Sequence, residues 1–389
     1  MGKVAQVLIT GYWPDRVPRR IGVPQKPLGE QFLAVAQKAG DAPALRRGAE
    51  VVSHAALLDR ARRAAAALST LVEPRATVAL SVSDPGMALT LLIATQLCAT
   101  RAAFVDPAKP QSLTALAPDL VLTDAPGTVP PGLRAMTPAD LDPAAPGTGE
   151  RRGRWRDVAI LLPEGQGFVG HGHVSTSAMV KALTTYIPVL ESTDHILNAP
   201  LHRWDGLAGA LTALLSGRAV ILSPEEAEFD PREACSFVPR SLVETWLNAV
   251  RAPKWAREAR LLFVVMSDFE TRWRRRLETL LRRPILPLWG GQRMGPAICA
   301  HPSWAPVDVH GLPLTNAMLV PLDPANGTPS DVPWEMLTRA ELGIEAPSVQ
   351  IKDDTTEGIV FDMNGNQVVR TGRIVAVDRL GMVRFLDAE

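Results

Sequence analysis

Between residues 54 and 281 the chain alternates short apolar runs with segments of helical periodicity, and this alternation restricts its fold more than any other feature. In the first helical segment, His54 to Leu71, residues Leu57, Leu58, Ala61, Ala65, Leu68 and Leu71 recur at three- and four-residue spacing behind Ser53, a residue suited to cap a helix. A buried strand is expected over Thr77 to Ser81, a helix over Pro85 to Cys98, and strands over Ala102 to Val105 and Leu120 to Thr123. The order resumes with a strand at Val158 to Leu162, helices at Ser175 to Tyr186 and Leu207 to Leu215, and a strand at Ala219 to Leu222. A helix at Ser241 to Val250, a strand at Leu261 to Met266 and a helix at Glu270 to Leu281 complete it. Strands separated by helices pair in parallel through right-handed crossovers, which predicts layered α/β architecture.

Prolines 14, 18, 24 and 27 make the start of the chain read as irregular, a state extended over the first forty residues. The stretch 126–153 is rich in Pro, Gly and Ala, has no periodicity and reads as a linker. From about Thr315 short strands separated by turns replace the alternation and suggest a smaller β-rich lobe. Near its end, Ile374 to Val377 and Met382 to Leu386 flank Asp378-Arg379-Leu380-Gly381, the pattern of a hairpin. The expected units are an irregular segment 1–27, an α/β subdomain 28–125, a linker 126–153, a second α/β subdomain 154–314 and a β-rich lobe 315–389.

Charge excludes little locally, but 41 basic against 41 acidic side chains give no global reason to expect nucleic acid as a partner. Cys98, Cys235 and Cys299 are far apart and form no Cys-x-x-Cys, which argues against a disulfide framework and structural zinc and suits a reducing cytoplasm. No stretch reaches the roughly 18 apolar residues of a membrane span, and the N-terminus does not read as a secretory signal. The run Arg151-Arg152-Gly153-Arg154-Trp155-Arg156 has the look of a polyanion patch, but it is short and follows a linker, so it reads as a solvated segment.

Several motifs, in order, resemble the adenylate-forming superfamily of acyl-CoA synthetases, peptide-synthetase adenylation domains and luciferases. They are Ser53-His54 with the helix after it, the strand–helix–strand unit from Ala76 to Asp106-Pro107, Pro200 to Leu207, His310-Gly311-Leu312-Pro313, and Thr371-Gly372-Arg373 before the hairpin. The resemblance covers roughly residues 28 to 389 and implies the superfamily's large N-terminal domain: two layered α/β subdomains and a small β-lobe. The chain stops where the family's mobile C-terminal domain, with its catalytic lysine, would begin.

The resemblance also implies where ATP would sit. The family's phosphate loop corresponds to Pro163 through Gly172, in which Gly165, Gly167, Gly170 and Gly172 remain, the hydroxyl residues are missing, Glu164 adds negative charge and His171 replaces the lysine. Such a loop works by aiming backbone N–H groups at phosphates. The Tyr-Gly-x-Thr-Glu strand end corresponds to Trp289-Gly290-Gly291-Gln292-Arg293, so Trp289 stands where a ring lies beside adenine and Arg293 where a Glu helps hold Mg²⁺. A guanidinium cannot be a magnesium ligand. The ribose-binding Asp of Thr-Gly-Asp is Arg373, after Thr371. Two charge-assisted hydrogen bonds lost at roughly 1.5–3 kcal/mol each weaken ATP by a few hundredfold to several thousandfold. The acyl channel corresponds to His202, Arg203, Trp204 and Gly206, with the family's histidine displaced by one position.

Each of these residues also has a purely structural reading: glycines for turns, Trp289 for packing, Arg293 and Arg373 for surface ion pairs. His171 and His173 alternate like metal ligands but have no third partner nearby, and no metal site is expected. No hydrolase elbow, zincin, P-loop or dinucleotide fingerprint occurs.

Two readings of function follow. In one the chain is an acyl-CoA-synthetase-like protein with impaired catalysis that binds an acyl ligand, a carrier protein or a partner synthetase in lipid or natural-product metabolism. In the other it is a divergent ATP-dependent acid–thiol or acid–amine ligase. ATP with Mg²⁺ is a candidate cofactor with its key ligands replaced. CoA is a candidate for a pocket made basic by Arg293 and Arg373.

Overall fold

The computed structural model describes residues 13–141, 149–265, 271–303, 309–349, 358–362 and 364–386. The first twelve residues, positions 142–148 of the expected linker, and Met266 and Glu270, expected to end a strand and begin a helix, lie outside them.

Three sheets organise the chain. The largest has nine strands in the spatial order Leu312–Pro313, Gly295–Cys299, Leu286–Gly291, Leu261–Val265, Ala234–Pro239, Asp194–Ile196, Val220–Ser223, Pro43–Arg47 and Glu50–Ser53. Its centre is parallel and its edges antiparallel. The second sheet has six strands in the order Ala135–Met136, Leu120–Thr123, Thr77–Ser81, Arg101–Phe104, Val158–Glu164 and Gly167–Gly172. The third is the lobe, whose strands Met318–Leu322, Ala340–Glu345, Gln367–Val377 and Ile359–Phe361 are joined by Val383–Phe385 pairing with the long strand.

The expected layering is therefore present, but the sheets do not follow the linear division. Pro43–Arg47 and Glu50–Ser53 belong to the sheet of the later residues, while Val158–Glu164 and Gly167–Gly172 complete the earlier one. The stretch 126–153 contributes the edge strand Ala135–Met136, paired with Leu120–Thr123. The first forty residues are not all irregular: Leu28–Ala39 is a helix with Leu28, Phe32 and Ala36 buried. Its pattern was obscured by the prolines that precede it.

Helices join the two large sheets into one core, which contains residues of both. The helix Pro85–Leu97 is buried continuously from Ala88 to Leu97, as an apolar sequence without a polar face requires. Gly29 meets it backbone to backbone, since a Cβ there would lie 2.6 Å from the Gln96 carbonyl oxygen. On the other side, a Cβ on Gly209 of the helix Trp204–Leu215 would lie 2.0 Å from His195 Nε2, so Gly209→Ala would force helix and strand apart. Fully burying one Leu or Ile of this core is worth about 1.5–3 kcal/mol.

The lobe joins the nine-stranded sheet through a separate apolar cluster in which Trp289, Met294 and Ile298 meet Trp334, Leu342, Val375 and Phe385. Its terminal hairpin is the one the pattern predicts. Asp378 Oδ1 accepts the Leu380 and Met382 amides, and Gly381 takes a φ of 80°.

Candidate functional site

The six-stranded sheet ends at the stretch expected to cradle phosphates, and here the structure corrects the expectation. Val158–Glu164 and Gly167–Gly172 form an antiparallel hairpin whose register runs to Glu164 opposite Gly167, leaving only Gly165 and Gln166 as the turn. Gly165, with φ 57°, occupies the place where two-residue turns favour glycine. Gly170 and Gly172 are strand residues opposite Leu161 and Val158. Gly172 then precedes the helix His173–Tyr186, whose first-turn hydroxyls turn inward: Ser175 and Thr176 donate to the Gly172 carbonyl at 3.1 and 2.8 Å. No loop is left to wrap a triphosphate.

His171 is buried inside this hairpin and donates from Nε2 to the Gln292 carbonyl at 2.5 Å. Burial holds its pKa below the ordinary histidine value, so it is neutral at pH 7 and does not replace a lysine's charge.

Gln292, in the turn between Leu286–Gly291 and Gly295–Cys299, is the hub that the sequence did not single out. Its amide nitrogen donates to the Pro163 and His202 carbonyls, each at 2.9 Å, and its side-chain oxygen accepts the Trp204 amide at 2.7 Å. One side chain thus ties the hairpin, the 200–204 turn and the nine-stranded sheet together. The only local signal was a polar residue between two glycines and an arginine.

Next to it, Arg293 forms an ion pair with Glu164 at the hairpin tip, both side chains about a quarter to a third exposed. The lobe closes over this pair at Gly358, where a Cβ would lie 2.5 Å from Arg293 Nη1. The residues at this place do not suit Mg²⁺-ATP: the position expected to bind the metal carries a cation, and that cation engages the carboxylate beside it. Of the two arginines expected to make a basic pocket for CoA, Arg293 pairs with Glu164 and Arg373 lies in the bulge of the long lobe strand.

Trp289 is 5% exposed, with its ring centroid 5.0 Å from that of Phe385, and packs the sheet against the lobe. Gly290 lies where the strands converge, a Cβ there falling 2.2 Å from the Gly295 carbonyl oxygen.

Thr371, Gly372 and Arg373 interrupt the long lobe strand as a bulge between the Gly343–Arg370 and Glu341–Ile374 pairs. Gly372 supplies a φ of 67°. Thr371 Oγ1 donates to the Leu342 carbonyl at 2.7 Å and accepts the Arg373 amide at 3.1 Å. Glu341, almost wholly buried, takes Arg370 bidentately at 2.7 and 3.1 Å and accepts the Gly372 amide at 3.3 Å. The carboxylate of this region thus serves the fold, and neither Glu341 nor Arg370 was anticipated.

The expected channel residues lie at the start of Trp204–Leu215. Arg203 grips the fully buried Asp205 at 3.0 and 2.9 Å, Trp204 is buried, and a Cβ on Gly206 would lie 2.3 Å from the Pro200 carbonyl oxygen. His202 is half-buried, its pKa lowered by burial against the opposing pull of Asp106. The structure therefore brings together Glu164, His171, His202, Trp204, Gln292 and Arg293, and sets Trp289 apart beneath the lobe.

No protein-family model matches the sequence, and no curated protein is similar to it. Solved structures are similar in shape. A long-chain-fatty-acid–CoA ligase from Archaeoglobus fulgidus superposes with a TM-score of 0.81 at 13% identity, over 97% of this chain and 86% of the ligase. The N-terminal subdomain of NpsA from Klebsiella oxytoca, in complex with 3-hydroxybenzoyl-AMSN, gives 0.77 at 14% identity, over 92% of this chain and 97% of the subdomain. O-succinylbenzoate–CoA synthetase from Bacillus subtilis gives 0.77 at 15%, over 92% and 79% of the two chains. By its three sheets and their superposition on these proteins, the chain has the fold of the large N-terminal domain of the adenylate-forming superfamily.

Proposed function

We propose that this is an acyl-CoA-synthetase-like protein whose nucleotide crevice is filled by its own side chains. It serves as an acyl-, carrier- or partner-binding component of lipid or natural-product metabolism and does not carry out ATP-dependent ligation by itself. The observation that carries the reading is the Glu164–Arg293 ion pair at the tip of a two-residue hairpin, with the Gln292 bridge beside it. Phosphates approaching this junction would have to displace an internal carboxylate–guanidinium pair and would find no loop of amides behind it. A fold held in common permits many activities, so the reading rests on this junction and not on the likeness.

A carrier-protein partner is supported by an artificially fused adenylation–PCP di-domain from Klebsiella oxytoca, which superposes at a TM-score of 0.78 and 14% identity over 94% of this chain. The test is to titrate the purified chain with ATP and Mg²⁺ in a calorimeter and to assay acyl-AMP formation and pyrophosphate exchange with a panel of carboxylic acids. Silence in all three is expected. Acyl-AMP formed above the acid-free background would sink this reading and favour the divergent ligase.

A further inference from the structure

The arginine run expected to be a solvated segment is exposed at Arg152, Arg154 and Arg156 and is held at both ends. At its start the Arg151 guanidinium donates to the Val72 and Ser69 carbonyls at 3.0 and 2.5 Å, and its amide donates to the Leu97 carbonyl at 2.8 Å. At its end the Asp157 amide donates to the Arg154 carbonyl at 2.9 Å, and the Asp157 carboxylate pairs with Arg75 at 3.0 Å. Pinned at both ends, the segment leaves Arg152, Arg154 and Arg156 exposed and Trp155 half-buried. Among the described residues no carboxylate lies within ion-pair distance of any of the three arginines. Arg156 contacts the Trp155 ring, 4.6 Å from its centroid.

Facing this rim is a cleft of about 600 Å³ lined by Gln25, Pro27, Glu30, Gly153 and the 152–157 segment. It is roughly the size of a small-molecule site. Pro27 and Glu30 belong to the start of the helix Leu28–Ala39, which has no side-chain cap. The positive end of that helix therefore lies beside the cleft, with its Leu28 amide taken by His173 and its Gln31 amide by the Pro27 carbonyl.

His173 is 3% exposed, and its Nδ1 accepts the Leu28 amide at 3.1 Å. Its proton must then sit on Nε2, which has no hydrogen-bond partner among the described residues and lies 3.9 Å from where a Cβ on Gly153 would be. This Nε2 thus lies behind Gly153, a residue of the cleft lining. Against the three guanidinium groups stand Glu30 and Asp157, and Asp157 is already matched by Arg75.

We infer that the cleft between residues 152–157 and the start of Leu28–Ala39 binds the phosphate or pyrophosphate group of a small organic phosphate. Arginine forks suit phosphate oxygens, and three of them line this cleft beside the positive end of the helix Leu28–Ala39. The bearer of the phosphate is either a nucleotide or a CoA-type thiol carrier. The inference is independent of whether the Glu164–Arg293 junction excludes ATP, because none of its residues belongs to that junction.

The test is calorimetric titration of the full chain with inorganic pyrophosphate, ADP, CoA and dephospho-CoA. It is repeated on Arg152→Ala/Arg154→Ala and on Gly153→Val, with a thermal melt of each variant. Saturable, salt-sensitive pyrophosphate binding is expected, weakened at least tenfold in the double arginine variant with its melting temperature unchanged. Gly153→Val, whose added side chain crowds the lining against Pro27 while the arginines stay, should weaken it several-fold. Stronger binding of CoA than of dephospho-CoA assigns the site to CoA, and equal binding of ADP and CoA assigns it to the shared pyrophosphate. Failure of all four to bind, binding that the double variant retains, or affinity found only for an oligonucleotide and growing with its length would each overturn the inference.

Discussion

The two ends of one strand, Val158–Glu164, treat charge in opposite ways. At the exit end Glu164 meets Arg293, His171 is buried and neutral, and every hydrogen-bonding group of the Gln292 amide is used on backbone. At the entry end, roughly 20 Å away along the strand, three arginines stand over a cleft without an ion-pair partner among the described residues. The likeness to adenylate-forming enzymes draws attention to the exit end, yet the physical conditions for holding an anion are met at the entry end. Charges satisfied within the fold hold the fold together, and charges left unsatisfied on a rigid frame are available to a ligand.

The strongest way to break this contrast is to remove the exit-end hub. Gln292→Leu leaves two carbonyls and the Trp204 amide without their partner, at about 1–3 kcal/mol for each group that water cannot reach, so a loss of about 4 kcal/mol is expected. Denaturant unfolding measures it. Arg152→Ala and Arg154→Ala should each stay within about 0.5 kcal/mol in the same experiment, and a large loss there would erase the difference between the two ends.

Acid sharpens the contrast next. Burial lowers the pKa of His173 to about 4 and that of His195 to about 3, below the ordinary value near 6.5. The unfolded chain therefore binds the proton first, and stability is full above about pH 6.5 and falls as the pH drops toward those folded values. Each group contributes up to about 1.4 kcal/mol per pH unit. His173→Gln should flatten the part of this limb down to about pH 4, and an unchanged limb would show that His173 is not held neutral.

Arg293→Glu restores the acid expected from the resemblance but sets it against Glu164, which should cost about 1–2 kcal/mol. Combined with Arg373→Asp it should still not confer ATP binding, because the hairpin turn remains two residues long. Calorimetric ATP uptake by this double variant would show that the acids, and not the missing loop, are decisive.

A small effect on stability is expected from Glu164→Gln, under about 1 kcal/mol for a partly exposed pair. It should nevertheless remove the Glu164 carboxylate from Arg293 and give the exit end a measurable affinity for pyrophosphate. If that end stays silent, the Glu164–Arg293 pair is not what closes it.

Much of the fold was readable from local pattern. The helix His54–Leu71 carries its apolar stripe and its Ser53 cap, with Ser53 Oγ accepting the Ala56 amide, and the hairpin about Asp378 carries its turn residues. The stretch Pro163 to Gly172 misled, because four glycines suggest a loop whether they sit in a turn or in strands. The strand Asp194–Ile196 and the pair Leu286–Gly291 and Gly295–Cys299 went unassigned, being short or interrupted by glycine and proline.

The amino-acid sequence by itself determined the periodicities and the caps and turns, because these depend on neighbours a few residues apart. Only the tertiary structure decided that Arg293 would meet Glu164 across 129 residues, that Gln292 would bridge to Trp204 across 88, and that the arginines at 152, 154 and 156 would form no ion pair among the described residues. Which sheet a strand joins, and which charge finds a partner, depends on contacts between segments far apart in the chain, and no local pattern encodes them.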